Sequence, residues 1–372
     1  MSRVLHVVSL PHTTLTEKHA TCAYSQKVSK YVTMMRMQGC HVVLYGPDEI
    51  ECDPDEHVVI TTQADRERWG FGDGFDTALT PFLWDANQTY WFEANQRAID
   101  ALKERVRSPD YLCLIAGWAQ QPIAHAVAGA NYRNPITVEW GVGYEGIFVQ
   151  FCAFESYAWM HHVYGLQKTV NGRAYDQVIP NFFDAEQFSV VKKPSADYLL
   201  YIGRLVQRKG PHVALDIAKR VGVPLKVAGP GATEWTKKKI VAPEITLEGE
   251  LEYVGEVGYA ERAELMGNAL AVVVPTLYIE PFGGVAVEAM LCGTPVVASD
   301  WGSFTEIVTP NVGARFRTLR QGVEAVESVR RLPRSQVRKS ALDRFSLEAV
   351  GPMFMRWYDQ LDSLWGDGWY SE

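Results

Sequence analysis

Short apolar runs alternate with helix-length stretches along almost the whole of this chain, and that alternation leaves few folds open. RVLHVV (3–8) precedes a helical stretch near 22–38 that ends at Gly39, and HVVLY (41–45) follows. YLCLIA (111–116), ITVEW (136–140) and DQVIP (176–180) continue the series, with helical patterns at 88–107 and 155–165. Apolar strands separated by helices predict parallel sheets covered on both faces. A polar, proline-containing stretch, KKPSAD (192–197), reads as a linker. The pattern then restarts with YLLYIG (198–203), PLKVAG (224–229), LEYVG (251–255), ALAVVVP (269–275) and TPVVAS (294–299). Helices are expected near 211–220, 259–268 and 284–292. Two such sets suit 372 residues, which exceed one ordinary core of about 150–200 residues. The reading is two doubly wound α/β domains with a cleft between them. Region 47–90 lacks periodicity and stays unassigned. The tail 344–365 is helical in spacing, with Gly351-Pro352 expected to interrupt it.

Composition narrows the class. Hydrophobic residues at 47% and charged residues at 22% fit a globular protein, and a net charge of −8 argues against a general nucleic-acid coat. The N-terminus MSRVLHVVSLPHTT has too short an apolar run for a secretory leader, and no stretch is long enough for a spanning helix. Six scattered cysteines without a C-x-x-C pair read as buried, reduced thiols, so a cytoplasmic location is expected.

The chemistry concentrates in PTLYIEPFGGVAVEAMLCGTPVVASDWGSFTEIV (275–308). A strand ends at Pro275, a loop presents Glu280, and Gly283-Gly284 opens a helix that runs through Met290. Helix N-termini carry unpaired N–H groups and partial positive charge, so they receive phosphates. Glycine there lets the backbone approach a ligand. Glu280 is placed to face a sugar, and Glu288, within the early turns, to reach ribose hydroxyls. A bare E-x7-E spacing would equally suit an ordinary βα turn with two solvated glutamates. In LLYIGRLVQRKGPHVALDIAKR (199–220), Arg204 and Lys209 follow a strand. Two cations suit a diphosphate whose charge grows as a glycosidic bond breaks.

Segment 275–308 resembles, almost residue for residue, the donor signature E-P-F-G-x-x-x-x-E-A-M-x-x-G-T-P-V-V. That signature marks the retaining family-4 glycosyltransferases of the GT-B fold (glycosyl transferases group 1). Segment 199–220 is similar to the family's G-R-x-x-x-x-K-G motif, and VIPNFFD (178–184) to the V-I-P-N-G-V-D that closes its N-terminal domain. The resemblance implies two Rossmann-like domains, an acceptor domain over 1–185 and a nucleotide-sugar domain over 195–345. A C-terminal helix of about 350–372 would cross back. It implies catalytic roles for Arg204, Lys209 and Glu280. Donor contacts would fall to Gly203, Gly229, Pro230, Gly231, Glu256, Pro281, Phe282, Gly283, Gly284, Val285 and Glu288. No cofactor and no metal are implied, only a UDP- or GDP-linked sugar as substrate.

The N-terminal half departs from the pattern. SLPHTTLTEKHA holds no glycine where the family has a Gly-Gly pair, and Gly117-Trp118 stands where many members have a histidine. His12, Trp118, Glu139 and Tyr144 are the acceptor-side candidates, the last two within TVEWGVGYEGIF (137–148), a glycine-rich aromatic loop suited to a carbohydrate or base. Packed aromatics at a strand end explain that loop as well. His161 and His162, with Glu155 on an expected helix, point about 100° apart and do not suit one metal. The basic clusters at 330–344 and Lys237-Lys238-Lys239 read as solvated faces. The expected reaction moves a sugar to an acceptor hydroxyl with retention. The acceptor classes are a glycan, a small molecule or a modified nucleobase. A nucleotide-sugar epimerase and a non-catalytic nucleotide-sugar-binding protein are the alternatives, and a phosphorylase lacks its lysine cofactor site. The first strand has no G-x-G-x-x-G, which speaks against a dehydrogenase.

Overall fold

The computed structural model describes residues 2–19, 22–72, 82–129, 134–170 and 173–364. The chain divides into two compact units. One comprises residues 1–155, 160–182 and those from 347 onward, and the other residues 156–159 and 183–346.

The first unit is built on seven strands: β1 (Val4–Val8), β2 (His41–Pro47), β3 (Glu56–Thr61), β4 (Tyr111–Leu114), β5 (Ile136–Val142), β6 (Phe151–Phe154) and β7 (Gln177–Val178). They pair in parallel in the order β3-β2-β1-β4-β5-β6-β7. Period-2 alternation gives each face its own core. Leu5, Val7, Val42, Leu44, Tyr111 and Cys113 pack beneath the helices Ala23–Met37 and Leu347–Leu364. Val8, Val43, Tyr45, Leu112 and Leu114 pack beneath Thr89–Arg105 and Gln121–Ala128. The tail does not break at Gly351-Pro352 as expected. A single helix runs from Leu347 to Leu364 with Pro352 inside it. It is held by buried tertiary contacts that outweigh the local penalty: Trp357 Nε1 donates to Tyr175 O at 2.7 Å, and the Tyr31 and Tyr358 hydroxyls meet. Part of the unassigned region is ordered as β3 and a short helix, Gln63–Arg68, closed by a Thr62–Asp65 capping box. Residues 73–81 of that region lie outside the described residues.

The second unit holds β8 (Leu199–Ile202), β9 (Leu225–Ala228), β10 (Glu234–Thr236), β11 (Lys239–Ala242), β12 (Ile245–Glu248), β13 (Leu251–Gly255), β14 (Ala271–Val274), β15 (Val296–Ser299) and β16 (Gly313–Phe316). Six of them form a parallel sheet in the order β13-β9-β8-β14-β15-β16. The helices Pro211–Val221, Tyr259–Asn268 and Gly284–Leu291 stand where the apolar periodicity places them. The chain moves outward from β8 to β9 and β13, then returns to β14 on the other side of β8. The gap between the β8 and β14 loops is therefore a topological switch point, where doubly wound sheets take ligands.

An antiparallel sheet of β10, β11 and β12 was not anticipated. Its sequence is too charged to announce strands: Ile240, Ala242 and Leu247 turn inward to the core, with Ile245 partly buried against it. The solvated reading of the basic cluster at 330–344 holds for exposed Arg330, Arg331 and Lys339 and is corrected for three arginines. Arg334 donates to Gly267 O and Thr294 Oγ1 at 2.8 Å, Arg338 to Phe188 O at 2.7 Å, and Arg344 to Glu306 O at 2.7 Å. These three arginines tie backbone carbonyls together and do not form a solvated face. Lys237 and Lys238 are exposed, but on the turn between β10 and β11, with Lys239 opening β11.

Candidate functional site

Two loops meet at the switch point of the second sheet. After β8 the chain turns through Gly203 and Arg204 to Lys209 and Gly210, and after β14 it runs from Pro275 to Gly284. Gly210 permits their approach. Its φ is +72°, and a Cβ there would lie 2.1 Å from Pro275 O. Leu277 N donates to Arg208 O at 2.8 Å, so the loops are zipped by backbone.

That closure brings together two residues far apart in sequence. Lys209 Nζ donates to Glu280 Oε1 at 2.9 Å and Oε2 at 2.7 Å. Thr276 Oγ1 donates to Glu280 Oε2 at 3.3 Å. Both charged side chains are largely buried, at 22% and 10% exposure. Burial disfavours the charge on Lys209, but Glu280 and Tyr278 outweigh it and lift the ammonium above its ordinary range. Arg204, by contrast, is exposed and makes no side-chain hydrogen bond or ion pair among the described residues, and its carbonyl accepts from Tyr201 Oη at 2.8 Å.

The helix Gly284–Leu291 begins at Gly283, whose φ of +80° is left-handed and which brings no capping side chain to the N–H groups of Gly284 and Val285, while Ala286 N donates to Gly283 O at 3.0 Å. Pro281 O accepts from Ser156 Oγ at 2.6 Å and Phe282 O from Ser303 Oγ at 2.7 Å. Phe282 is buried, while Gly283, Gly284 and Val285 are partly open at the helix mouth. Gly229, Pro230 and Gly231 lie beside the β8 loop: a Cβ on Gly229 would sit 2.3 Å from Gly203 O, and Leu205 N donates to Pro230 O at 2.9 Å. Glu256 is exposed in the loop after β13.

Glu288 was read as free to reach a ribose, and the structure gives it a partner that the sequence did not suggest. Arg262 Nη1 donates to Glu288 Oε1 at 3.2 Å and Oε2 at 3.1 Å, and both side chains are 11% exposed. Arg262 sits in the helix Tyr259–Asn268 among other charged residues, and nothing in GYAERAEL marks it out. Among the described residues no group of three or more His, Cys, Asp or Glu side chains gathers as a metal site.

The acceptor-side candidates all lie in the first unit, where Tyr144 hydrogen-bonds Glu139 and the others have different surroundings. Trp118, after β4, is 61% exposed, with Gly146 passing under its indole and Gly117 (φ +55°) leaving no room for a Cβ against Gly146 O. His12 does not open to solvent. It is 2% exposed, stacked on Phe82 with ring centroids 3.8 Å apart, and burial pushes its imidazole down to about 3. The glycine-free loop after β1 folds under itself, Thr14 Oγ1 meeting His19 Nδ1 at 2.7 Å. Glu155 precedes its expected helix, which spans Tyr157–Leu166, and pairs in the interior with Lys27 at 2.5 Å. His162 lies 3.3 Å from Glu145.

Glu139 is not a surface platform either. It is fully buried, accepting from Tyr144 Oη at 3.0 Å, Phe148 N at 2.8 Å and Val149 N at 3.1 Å, and so fixes the loop that follows β5. Burial raises its carboxyl to about 7 despite those hydrogen bonds. An acid whose folded value lies above its unfolded one binds its proton more tightly when folded. Its contribution is therefore full below about 4.5, the unfolded value, and is lost as pH climbs through about 7. Glu139→Gln keeps an oxygen for the two backbone donors and offers an N–H to Tyr144. The variant is expected to raise Tm at pH 8.5 by at least about 2–4 °C, the response to roughly 1 kcal/mol, and to change it little at pH 5. Equal shifts at both pH values would contradict this account.

Comparison with known proteins agrees with the geometry. The chain is 35% identical over 146 residues to a glycogen synthase of Mycobacterium tuberculosis, covering 37% of this chain and 34% of that protein. It is 33% identical over 158 residues to a D-inositol 3-phosphate glycosyltransferase of Catenulispora acidiphila, covering 39% and 37%. The matches thus span about a third of the length of these curated relatives. Among solved structures it is similar to sucrose-phosphate synthase from Thermosynechococcus elongatus (TM-score 0.64, 18% identity, 97% of this chain and 99% of that one). It is also similar to Anabaena HepE in complex with UDP and glucose (TM-score 0.63, 15% identity, 96% and 100%). These likenesses show the fold, two parallel-sheet α/β domains of the GT-B class. Residues 182–335, which hold every candidate donor contact described above, match the family described as glycosyl transferases group 1.

Proposed function

We propose that this chain is a retaining glycosyltransferase that moves a hexose or similar sugar from a nucleotide diphosphate donor to an acceptor hydroxyl. The observation that carries the reading is the convergence, at one switch point, of the Lys209–Glu280 pair and the glycine-opened helix at Gly283-Gly284. The helix mouth and Lys209 present positive potential to a diphosphate, and exposed Arg204 is free to swing onto it. Glu280, clamped by Lys209 and Thr276, is oriented to hold sugar hydroxyls.

The bond from the anomeric carbon to the diphosphate oxygen breaks, and the acceptor oxygen bonds to that carbon on the same face. The acceptor proton passes to the departing phosphate oxygen. The protein's share is electrostatic: fixed cations and dipoles facing charge that develops on the leaving group. HepE, alike in fold, is described with UDP and glucose, which favours a uridine donor.

The test is mass spectrometry of UDP- and GDP-sugars incubated with the protein, alone and with hydroxyl acceptors. Acceptor-dependent transfer with retained configuration is expected, undiminished by excess EDTA because Arg204, Lys209 and the helix mouth neutralise the diphosphate. Conversion of the donor without acceptor would identify an epimerase instead. Tight nucleotide-sugar binding with neither hydrolysis nor transfer would identify a binding protein.

A further inference from the structure

The mechanism leaves one buried cation of the second unit unused. Arg262, on a helix that packs against Gly284–Leu291, is largely out of solvent, and among the described residues its ion pair is with Glu288. The geometry of the contact is unusual for an arginine. One nitrogen, Nη1, straddles both carboxylate oxygens, where a guanidinium commonly offers two parallel N–H groups. Arg262 Nε finds no hydrogen-bond acceptor among the described residues. A carboxylate offers about four lone-pair positions, and this end-on contact leaves each Glu288 oxygen with capacity to spare.

A carboxylate held by one nitrogen, with lone pairs to spare on both oxygens, suits a vicinal diol. Each hydroxyl of a cis-diol donates to one oxygen. Nothing in the helix itself fixes the Glu288 rotamer, and an unpaired carboxylate so nearly buried would be costly. We infer that Arg262 is a positioning residue which fixes Glu288 as a two-point acceptor for the 2′- and 3′-hydroxyls of the donor's ribose. This rests on the donor-site reading above and adds to it the residue through which ribose is distinguished from deoxyribose.

The test compares dissociation constants of UDP and 2′-deoxy-UDP, and of GDP and 2′-deoxy-GDP, by calorimetry for the wild type, Arg262→Met, Arg262→Lys and Glu288→Ala. For whichever pair binds, the wild type is expected to prefer the ribonucleotide by about tenfold or more, as for a hydrogen bond to a charged group. Arg262→Met should weaken the ribonucleotide by about that factor and the deoxynucleotide, which keeps its 3′-hydroxyl, by clearly less. Arg262→Lys should restore part of the preference, and Glu288→Ala should abolish it. Thermal melting reports folding, and Arg262→Gln serves the same comparison should the methionine variant fail to fold.

A wild-type protein that binds the diphosphates without preferring ribose overturns the inference and leaves the donor site standing. So does an uncharged variant that keeps the wild-type ratio, or one that weakens both nucleotides equally as its Tm falls, which is the signature of a purely structural pair. A wild type that binds none of the four nucleotides overturns the donor-site reading and this inference with it.

Discussion

Lys209→Ala is expected to lower kcat/KM for the nucleotide-sugar donor by about 10²–10³-fold, the loss seen when one fixed donor facing developing charge is removed. Two losses combine at this position. The ammonium is paired with Glu280 in the loop that leads into the glycine-opened helix mouth, and its removal takes away a charge held in place before the diphosphate arrives. It also strands Glu280, a 10%-exposed carboxylate whose two oxygens both accept from Lys209. An unpaired buried carboxylate either takes up a proton or swings away, and both spoil its grip on sugar hydroxyls. Glu288→Ala, further from the breaking bond, should cost more than about tenfold. Steady-state kinetics with the donor identified by mass spectrometry, alongside thermal melting, provides the check. A folded Lys209→Ala protein that turns over within tenfold of the wild type would remove Lys209 from the site.

What the sequence made legible follows from which physical forces write themselves locally. A parallel strand buried on both faces must be apolar throughout, so β1, β4, β8 and β14 stand out as runs, and helix periodicity fixes what lies between. The loops of the candidate site were equally legible, because the turns at the carboxyl ends of β8 and β14 carry glycines at positions of close backbone approach or positive φ. Partnerships were not. Lys209 and Glu280 are 71 residues apart, and only the Gly210–Pro275 approach brings them together. Arg262 and Glu288 belong to different helices, and each looks by itself like a surface charge. Arg334, Arg338 and Arg344 misled for the same reason, since their carbonyl partners come from remote loops. The β10–β12 hairpin escaped because its inward residues are few and its outward ones charged. Glu139 looked like a ligand because its burial is a tertiary fact.

Gly283→Ala is expected to destabilise the second unit by about 2–5 kcal/mol, combining a left-handed backbone penalty of about 1–2 kcal/mol with overpacking of about 1–3 kcal/mol. Gly283 has φ +80° and ψ 56°. A Cβ there would lie 2.4 Å from Phe304 Cε1 and 2.7 Å from its Cζ, and Phe304 is fully buried, so the ring has nowhere to retreat. The chain must yield instead, and what moves is the helix mouth together with Glu280, whose Cγ lies 3.4 Å from the same position. Donor affinity should therefore fall with stability, and Tm should drop by roughly 4–20 °C. Gly39→Ala separates the two causes. Gly39 shares the φ of +80°, but a Cβ there meets nothing within 4 Å. That variant should show the backbone cost alone, about 1–2 kcal/mol, with donor binding intact. If Gly39→Ala and Gly283→Ala lose the same stability, the contact with Phe304 is not what requires glycine. If Gly283→Ala keeps full donor affinity, the helix mouth is not where the donor's phosphates are held.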